Sequence, residues 1–414
     1  MTSDKQPHQI IKTFHYQPAA VVKGYTDQIL HINISDYSIT PKSVDPQMKK
    51  TFIGGRGYGL KLLWDATTPQ TNWNDPENEI IINTGPLCGT TQYPGMGKSL
   101  VVGLSPLTNS VMDSNVGGFF GPYLKFSGWD SLEIQGKSAQ PVIIFIDGNQ
   151  GEIRIEQVPK DLYLNSHLIC EDLTEFYATN QEDKQNLSVV AAGQGAVHSN
   201  IGCLNFSYYD RRRQAIRLKQ AGRGGLGTVL SDKNVLALVA RYRGTKGDSN
   251  QPANLETIKQ VGIKMHKQIH DYDHIQCHMR RQGTAHLVEV MSDYDLLPTR
   301  NFQYGGHEDA KKIASWVWDK KFSQGKPDGC WYGCSMSCAH CVENFELQTG
   351  PYAGQKVLVD GPEYENAAGL GSNWGIFDPN WILEANFYCD TYAIDIISWG
   401  TIVAFLMECY DRGI

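Results

Sequence analysis

The sequence predicts an α+β fold, a β-rich N-terminal domain followed by a mostly helical one, and three observations carry this. Before about residue 230, short apolar or alternating runs are separated by turn signals such as Asp147-Gly148-Asn149. After Gly227 the apolar spacing becomes helical. The chain of 414 residues, 41% hydrophobic, is long enough to bury full cores in two or three domains.

In order, residues 1–22 are polar, contain Pro7 and Pro18 and lack periodicity, which predicts a flexible tail. Residues 23–230 form the β-rich domain, with strands expected at 24–34, 79–82, 100–104, 132–135, 142–146, 153–156 and 187–191. One helix, 161–179, interrupts them. Residues 231–414 form the helical domain, with helices expected at 234–241, 255–271, 284–293, 310–320, 362–371 and 381–412. The last carries Ile394, Ile396, Ile397, Ile402, Val403, Phe405, Leu406 and Met407, so it is expected to be buried.

A formal net charge of −7 and a pI near 5.9 argue against nucleic acid as the partner. No apolar run reaches the length of a bilayer span. The N-terminus shows no signal-peptide pattern, and Cys88, Cys170, Cys203, Cys277, Cys389 and Cys409 are scattered singly, which predicts a reduced, cytoplasmic protein.

The other four cysteines, Cys330, Cys334, Cys338 and Cys341, crowd into GCWYGCSMSCAHCV. Thiolates at this density can converge on one soft metal centre. Disulfides or free thiols are the bland alternative, and zinc the competing metal. A single dense run is more in the style of an iron–sulfur protein than of the paired knuckles of structural zinc. Attachment of a c-type haem is excluded, because Val342 stands where a histidine would be needed.

Glycine is concentrated in four loops, 54–59, 93–98, 115–118 and 221–227. Each offers unhindered N–H groups, and three add a cation, Arg56, Lys98 or Arg223. That chemistry suits a phosphate- or pyrophosphate-bearing cofactor. A dinucleotide-binding reading of Gly222–Gly227 fails, because residues 218–221 do not read as a preceding strand.

Taken together, Gly54-Gly55-Arg56-Gly57, Thr84-Gly85-Pro86-Leu87, Ser105-Pro106-Leu107-Thr108, Ser114-Asn115-Val116-Gly117-Gly118, Ala221–Gly227, Leu297-Pro298-Thr299-Arg300-Asn301-Phe302, Gly361-Pro362-Glu363-Tyr364-Glu365 and Cys389-Asp390-Thr391-Tyr392 resemble the aldehyde ferredoxin oxidoreductase family. The resemblance implies a tungsten (or molybdenum) bis-pterin cofactor, Mg2+ bridging its phosphates, and a [4Fe-4S] cluster. It places Asn115, Ala221, Gly222, Arg223 and Gly224 at the magnesium–phosphate bridge, and Gly55, Arg56, Gly117 and Gly118 beside the pterin. Lys98 stands where the family commonly has an arginine linking cluster and pterin; lysine keeps the charge and loses the planar fork. Asp390 and Asp395 bound a pterin motif in which Ala393 replaces glycine. The cysteine run departs from the family's C-x2-C-x3-C, being one residue longer and adding Cys341. Family members also continue into a further helical domain, so the chain ending at Ile414 is expected to be a natural truncation, a split subunit or a gene fragment with a separate C-terminal-domain partner. A homo-oligomer is a further expected assembly.

Glu363 and Glu365 suit a helix start, and capping is the ordinary role of such acids. By family position Glu365 is the active-site carboxylate, while His278 and His286 are candidate proton donors near the substrate channel; a lone histidine is more often structural. The implied activity is oxidation of aldehydes to carboxylic acids, with electrons passing to ferredoxin or an electron-transfer subunit. The alternatives are an aryl-CoA dearomatising reductase subunit and an inactive fragment.

Overall fold

Among the described residues fifteen strands, numbered in chain order, frame the structure: β1 (Ile10–His15), β2 (Gln28–Asn33), β3 (Ser38–Ser43), β4 (Ile80–Asn83), β5 (Ser99–Leu104), β6 (Val111–Val116), β7 (Ser131–Gln135), β8 (Val142–Asp147), β9 (Glu152–Gln157), β10 (Leu187–Ala191), β11 (Leu204–Asp210), β12 (Ala215–Ala221), β13 (Val235–Arg241), β14 (Cys341–Glu346) and β15 (Lys356–Asp360). This computed structural model describes residues 7–159, 162, 164–246, 249–322 and 328–414, without the side chains of Gln276 and Cys277. The chain divides into two units. The first runs to Gly262 and includes Thr391–Ile394; the second comprises Ile263–Asp390 and Asp395–Ile414.

The first unit holds a six-stranded sheet in the order β3-β2-β7-β4-β5-β6 and a seven-stranded sheet in the order β1-β9-β8-β13-β10-β11-β12. Strand β4, Ile-Ile-Ile-Asn, is buried throughout, so its apolar run need not alternate. Helix Arg56–Ala66 lays Tyr58, Leu62 and Leu63 against Ile29, Ile81 and Val102. Helix Ser166–Tyr177 packs Ile169, Cys170, Leu173 and Tyr177 on Ile143, Phe145, Val189 and Val239 of the larger sheet.

Several expectations need correction. Residues 10–15, expected in a flexible tail, form β1 and pair antiparallel with β9; residues 1–6 of that tail lie outside the described set. The expected helix 234–241 is β13, buried at the centre of the seven-stranded sheet, parallel to β8 and antiparallel to β10. A short apolar run such as Val-Leu-Ala-Leu-Val-Ala fits a buried strand as well as a helix. The first unit therefore extends past residue 230 to Gly262. Residues 215–221 are also a strand, contrary to the reading that excluded a dinucleotide fold. That exclusion stands on topology instead: β12 is an edge strand antiparallel to β11, and the next strand, β13, is not its neighbour. The expected helix 161–179 spans Ser166–Tyr177, and Asp161 lies outside the described residues.

The second unit packs helices around Ala285, Val288, Leu297, Ile313, Trp318, Leu347, Ile382 and Leu383, together with the unforeseen hairpin β14–β15. The expected helix 381–412 is two helices, Pro379–Tyr392 and Ile396–Asp411. Ala393 breaks it with φ +55, and Asp395 restarts it as an N-cap. The second of these helices is only partly buried, leaving Ile402, Phe405, Leu406 and Tyr410 exposed.

One buried cluster makes stability pH-dependent. Glu79 and Glu133, 1% and 2% exposed, lie at the six-stranded sheet with His31, Lys42 and Lys233. Lys42 Nζ meets Glu133 at 2.9 Å, His31 Nε2 lies 3.9 Å from Glu79, and Glu79 Oε2 has no hydrogen-bond partner among the described residues. Burial, and after it the Glu133 charge, push Glu79 from 4.5 up to about 8. A carboxyl raised in the folded state binds its proton there more tightly than in the unfolded chain. Its stabilising effect is complete below pH 4.5 and is lost as pH rises to about 8. Thermal unfolding midpoints are expected to fall from pH 5 to pH 8. Glu79→Gln should flatten that fall by on the order of 2–4 kcal/mol, one pKa unit being about 1.36 kcal/mol. A Glu79→Gln profile that falls as steeply as the wild type over this range contradicts the assignment.

Candidate functional site

The glycine loops of the first unit come together at one end of the six-stranded sheet. Strand pairing sets Asn83 opposite Leu100 and Ser99 opposite Val116, so Thr84-Gly85, Lys98 and Gly117-Gly118 leave the sheet side by side. Gly55 N–H donates to the Thr84 carbonyl (3.0 Å), bringing in the open N-terminus of helix Arg56–Ala66. Arg223 N–H donates to Ser114 Oγ (3.3 Å), bringing in the 221–225 loop after β12. Gly89 N–H donates to the Met96 carbonyl (2.7 Å) and closes the 85–97 loop.

Two kinds of glycine can be separated here. Gly57, Gly59 and Gly224 are packing residues: a Cβ would fall 2.2 Å from the Phe52 oxygen, 2.4 Å from Asn83 Nδ2 and 2.1 Å from Met112 Cγ. Gly55, Gly85, Gly95 and Gly118 instead face space with nothing within 4 Å, and Gly222 meets only Gln220 Cβ at 3.7 Å. The N–H groups of Gly85, Gly117, Gly118 and Gly222 find no acceptor among the described residues, although Gly117 and Gly118 are buried. Buried N–H groups are almost always paired, so those of Gly117 and Gly118 call for an acceptor beyond the described residues. Arg56, Lys98, Arg223 and Asn115, in the same glycine loops, are exposed, and Arg56 also pairs with Asp113 at 2.9 Å. N–H groups of this kind beside cations are chemistry that a phosphate-bearing cofactor fits.

Sequence reasoning missed what holds these loops. Lys125, fully buried, donates to the Gly24 and Gly85 carbonyls at 2.6 and 2.7 Å and lies 3.4 Å from Asp130. Asn250 donates to the Pro86 and Cys88 carbonyls at 3.0 and 2.6 Å. Together they draw the loop's carbonyls inward. Neither position carries a local signal, because each acts on residues distant in sequence.

In the second unit, Cys330, Cys334 and Cys338 are half-buried in a turn, whereas Cys341 is fully buried at the start of β14, opposite Asp360. Among the described residues no three His, Cys, Asp or Glu side chains gather closely enough to hold a metal, these thiols included. As arranged, the four cysteines do not form a cluster site. Elsewhere burial pushes the Cys88 thiol up to about 12 and raises those of Cys170 and Cys389, which makes them poor ligands.

Glu363 and Glu365 take different roles. Glu363 is the N-cap of helix Tyr364–Gly369 in a reciprocal capping box with Asn366. Glu365, in the first turn, is exposed and has no hydrogen bond or ion pair among the described residues. Burial, and then the Glu365 charge, raise the Tyr364 phenol. His278 and His286 are half-buried with ring centroids 6.2 Å apart, and His286 Nδ1 lies 2.8 Å from the Gly283 carbonyl. The turn Gly283–His286 packs against the Tyr364–Gly369 helix, so Glu365 and the two histidines belong to one region. Asp390 accepts from Asn386 Nδ2 (3.1 Å); Asp395 is buried and committed to capping, accepting from Ile397 N–H, Ser398 N–H and Ser398 Oγ.

Comparisons with known proteins agree with these motifs. The aldehyde ferredoxin oxidoreductase N-terminal domain matches residues 29–242, and domains 2 and 3 of that family match residues 260–414. The chain is 32% identical over 394 residues to the tungsten-containing aldehyde ferredoxin oxidoreductase of Pyrococcus horikoshii, covering 94% of this chain and 59% of the relative. It is 30% identical to the aliphatic sulfonate oxidoreductase, WOR-like subunit, of Pyrococcus furiosus, covering 94% of this chain and 60% of that one. It thus spans about three fifths of the length of these relatives. Among solved structures, the active site complex of benzoyl coenzyme A reductase shares the fold at a TM-score of 0.71 and 21% identity, over 94% of this chain and 56% of that one. On the family matches and the motif-bearing loops together, the chain belongs to the aldehyde ferredoxin oxidoreductase family.

Proposed function

We propose that the chain carries the cofactor cradle and the acid–base groups of a tungsten–pterin oxidoreductase that converts aldehydes to carboxylic acids, with electrons passing to ferredoxin or to a partner electron-transfer subunit. The observation that supports this most is the set of N–H groups at Gly85, Gly117, Gly118 and Gly222, without acceptors among the described residues, in a member of this family. These groups, with Arg56, Lys98 and Arg223, would hold the pterin phosphates, and Asn115 and the Ala221 loop their Mg2+. When bound, the tungsten–pterin group supplies the acceptor for two electrons. The half-reaction, RCHO + H2O → RCOOH + 2H+ + 2e−, then asks the protein for a base. Glu365, exposed and uncommitted, takes a proton from the water or the hydrate, and His278 and His286 stand next in line to move it. A [4Fe-4S] cluster belongs to this reading, but the thiols as arranged do not build its site.

The shared fold with benzoyl coenzyme A reductase gives the test its second arm. The anaerobically purified enzyme is offered aldehydes with an oxidised low-potential acceptor, and aryl-CoA thioesters with a reduced donor. Aldehyde-dependent acceptor reduction is expected. Turnover of the thioester alone would replace the aldehyde reading by the dearomatising one.

A further inference from the structure

We infer that Thr284 is a positioning residue that clips together the two segments carrying the candidate acid–base groups. This rests on Glu365 being the proton acceptor proposed above. Thr284 Oγ1 donates to Glu363 Oε2 at 2.5 Å and accepts from Tyr364 N–H at 2.9 Å, and Thr284 N–H approaches the same carboxylate oxygen at 3.4 Å. One side chain thus joins residues 284 and 363–364, eighty positions apart in sequence. On one side of it, two residues along, is His286; on the other, the residue after Tyr364 is Glu365.

The clip is specific in chemistry as well as place. A hydroxyl donates and accepts at once, so it can satisfy the Glu363 carboxylate and the Tyr364 N–H together. Glu363 is held a second way, since its side chain caps the helix through the Asn366 N–H while the Asn366 side chain accepts from Glu363 N–H at 2.9 Å. The helix start is therefore fixed independently of Thr284. What Thr284 adds is its registration against the Gly283–His286 turn. His286 Nδ1, 2.8 Å from the Gly283 carbonyl, rides on that same turn. Catalytic geometry is sensitive at this scale, a displacement of about 1 Å costing as much as 10²-fold.

The test compares Thr284→Val, which keeps the branched shape and removes the hydroxyl, with Thr284→Ser, which keeps the hydroxyl, and with Glu365→Gln. In the isolated chain, amide exchange at Tyr364 should quicken at least roughly tenfold in Thr284→Val and not in Thr284→Ser, because one hydrogen bond is lost. In the tungsten-loaded enzyme, Thr284→Val should lower kcat by about 10–100-fold with KM and tungsten content unchanged, and Thr284→Ser should recover most of it. Unimpaired kcat in Thr284→Val beside an inactive Glu365→Gln overturns the clip alone, as does a loss of tungsten in step with activity. A fully active Glu365→Gln overturns the reading of Glu365 itself.

Discussion

Gly222→Val and Gly85→Val are each expected to strip the purified protein of tungsten and pterin while leaving it folded. Both glycines have ordinary backbone conformations, so valine introduces no left-handed strain there. At Gly85 an added Cβ meets no atom within 4 Å, and at Gly222 it meets only Gln220 Cβ at 3.7 Å. The new methyl groups would fill the space in front of N–H donors that have no acceptor among the described residues. Losing one or two hydrogen bonds to a charged phosphate, about 1.5–3 kcal/mol each, weakens binding by roughly 10–10⁴-fold. Parallel measurements of bound metal and of the thermal midpoint separate the outcomes. A variant that keeps its tungsten shows that this end of the sheet is not the cradle. A variant that loses its fold shows that the open space is needed for packing.

Glu365→Gln is expected to lower aldehyde turnover by about 10²–10⁴-fold with bound metal unchanged, the usual contribution of a positioned acid–base group. The amide keeps the size of the carboxylate and cannot take the proton. Glu363→Gln should act differently, through stability: it weakens the N-cap and the bond from Thr284, which together are worth roughly 1–3 kcal/mol. Steady-state kinetics and thermal midpoints of the two variants distinguish these roles. A Glu365→Gln enzyme with normal kcat, beside a Glu363→Gln enzyme without turnover, would exchange them.

How far this was legible in the sequence depends on how local each signal is. The short strand Leu187–Ala191 is legible because its apolar run is too short for a helix and holds the β-branched pair Val189-Val190. Val235–Arg241 is as short and as apolar, yet its sequence alone suits a helix; its neighbours β8 and β10 make it a strand. The helix break at Ala393 has no signal in the residue itself, alanine being a helix former; its one hint is the glycine that the family motif carries at this left-handed position. At the site, the glycine loops and their cations were evident from composition. That some glycines face open space and others pack on Phe52 or Met112 was not. The division of labour between Glu363 and Glu365 likewise turns on Thr284, eighty residues away. The cysteine run was the loudest signal in the sequence, yet spacing alone does not bring four thiols together, and Cys341 belongs to the strand β14.

The central claim is that the N–H array at Gly85, Gly117, Gly118 and Gly222 binds the phosphates of a pterin cofactor. The most direct measurement is quantification of tungsten, molybdenum and pterin in protein purified anaerobically from cells supplied with tungstate, together with the Gly222→Val variant prepared in the same way. Tungsten and pterin in fixed proportion to the wild-type protein, and their absence from the variant, are the predicted result. Wild-type protein that carries no pterin and neither metal, or a variant that carries as much as the wild type, would contradict it.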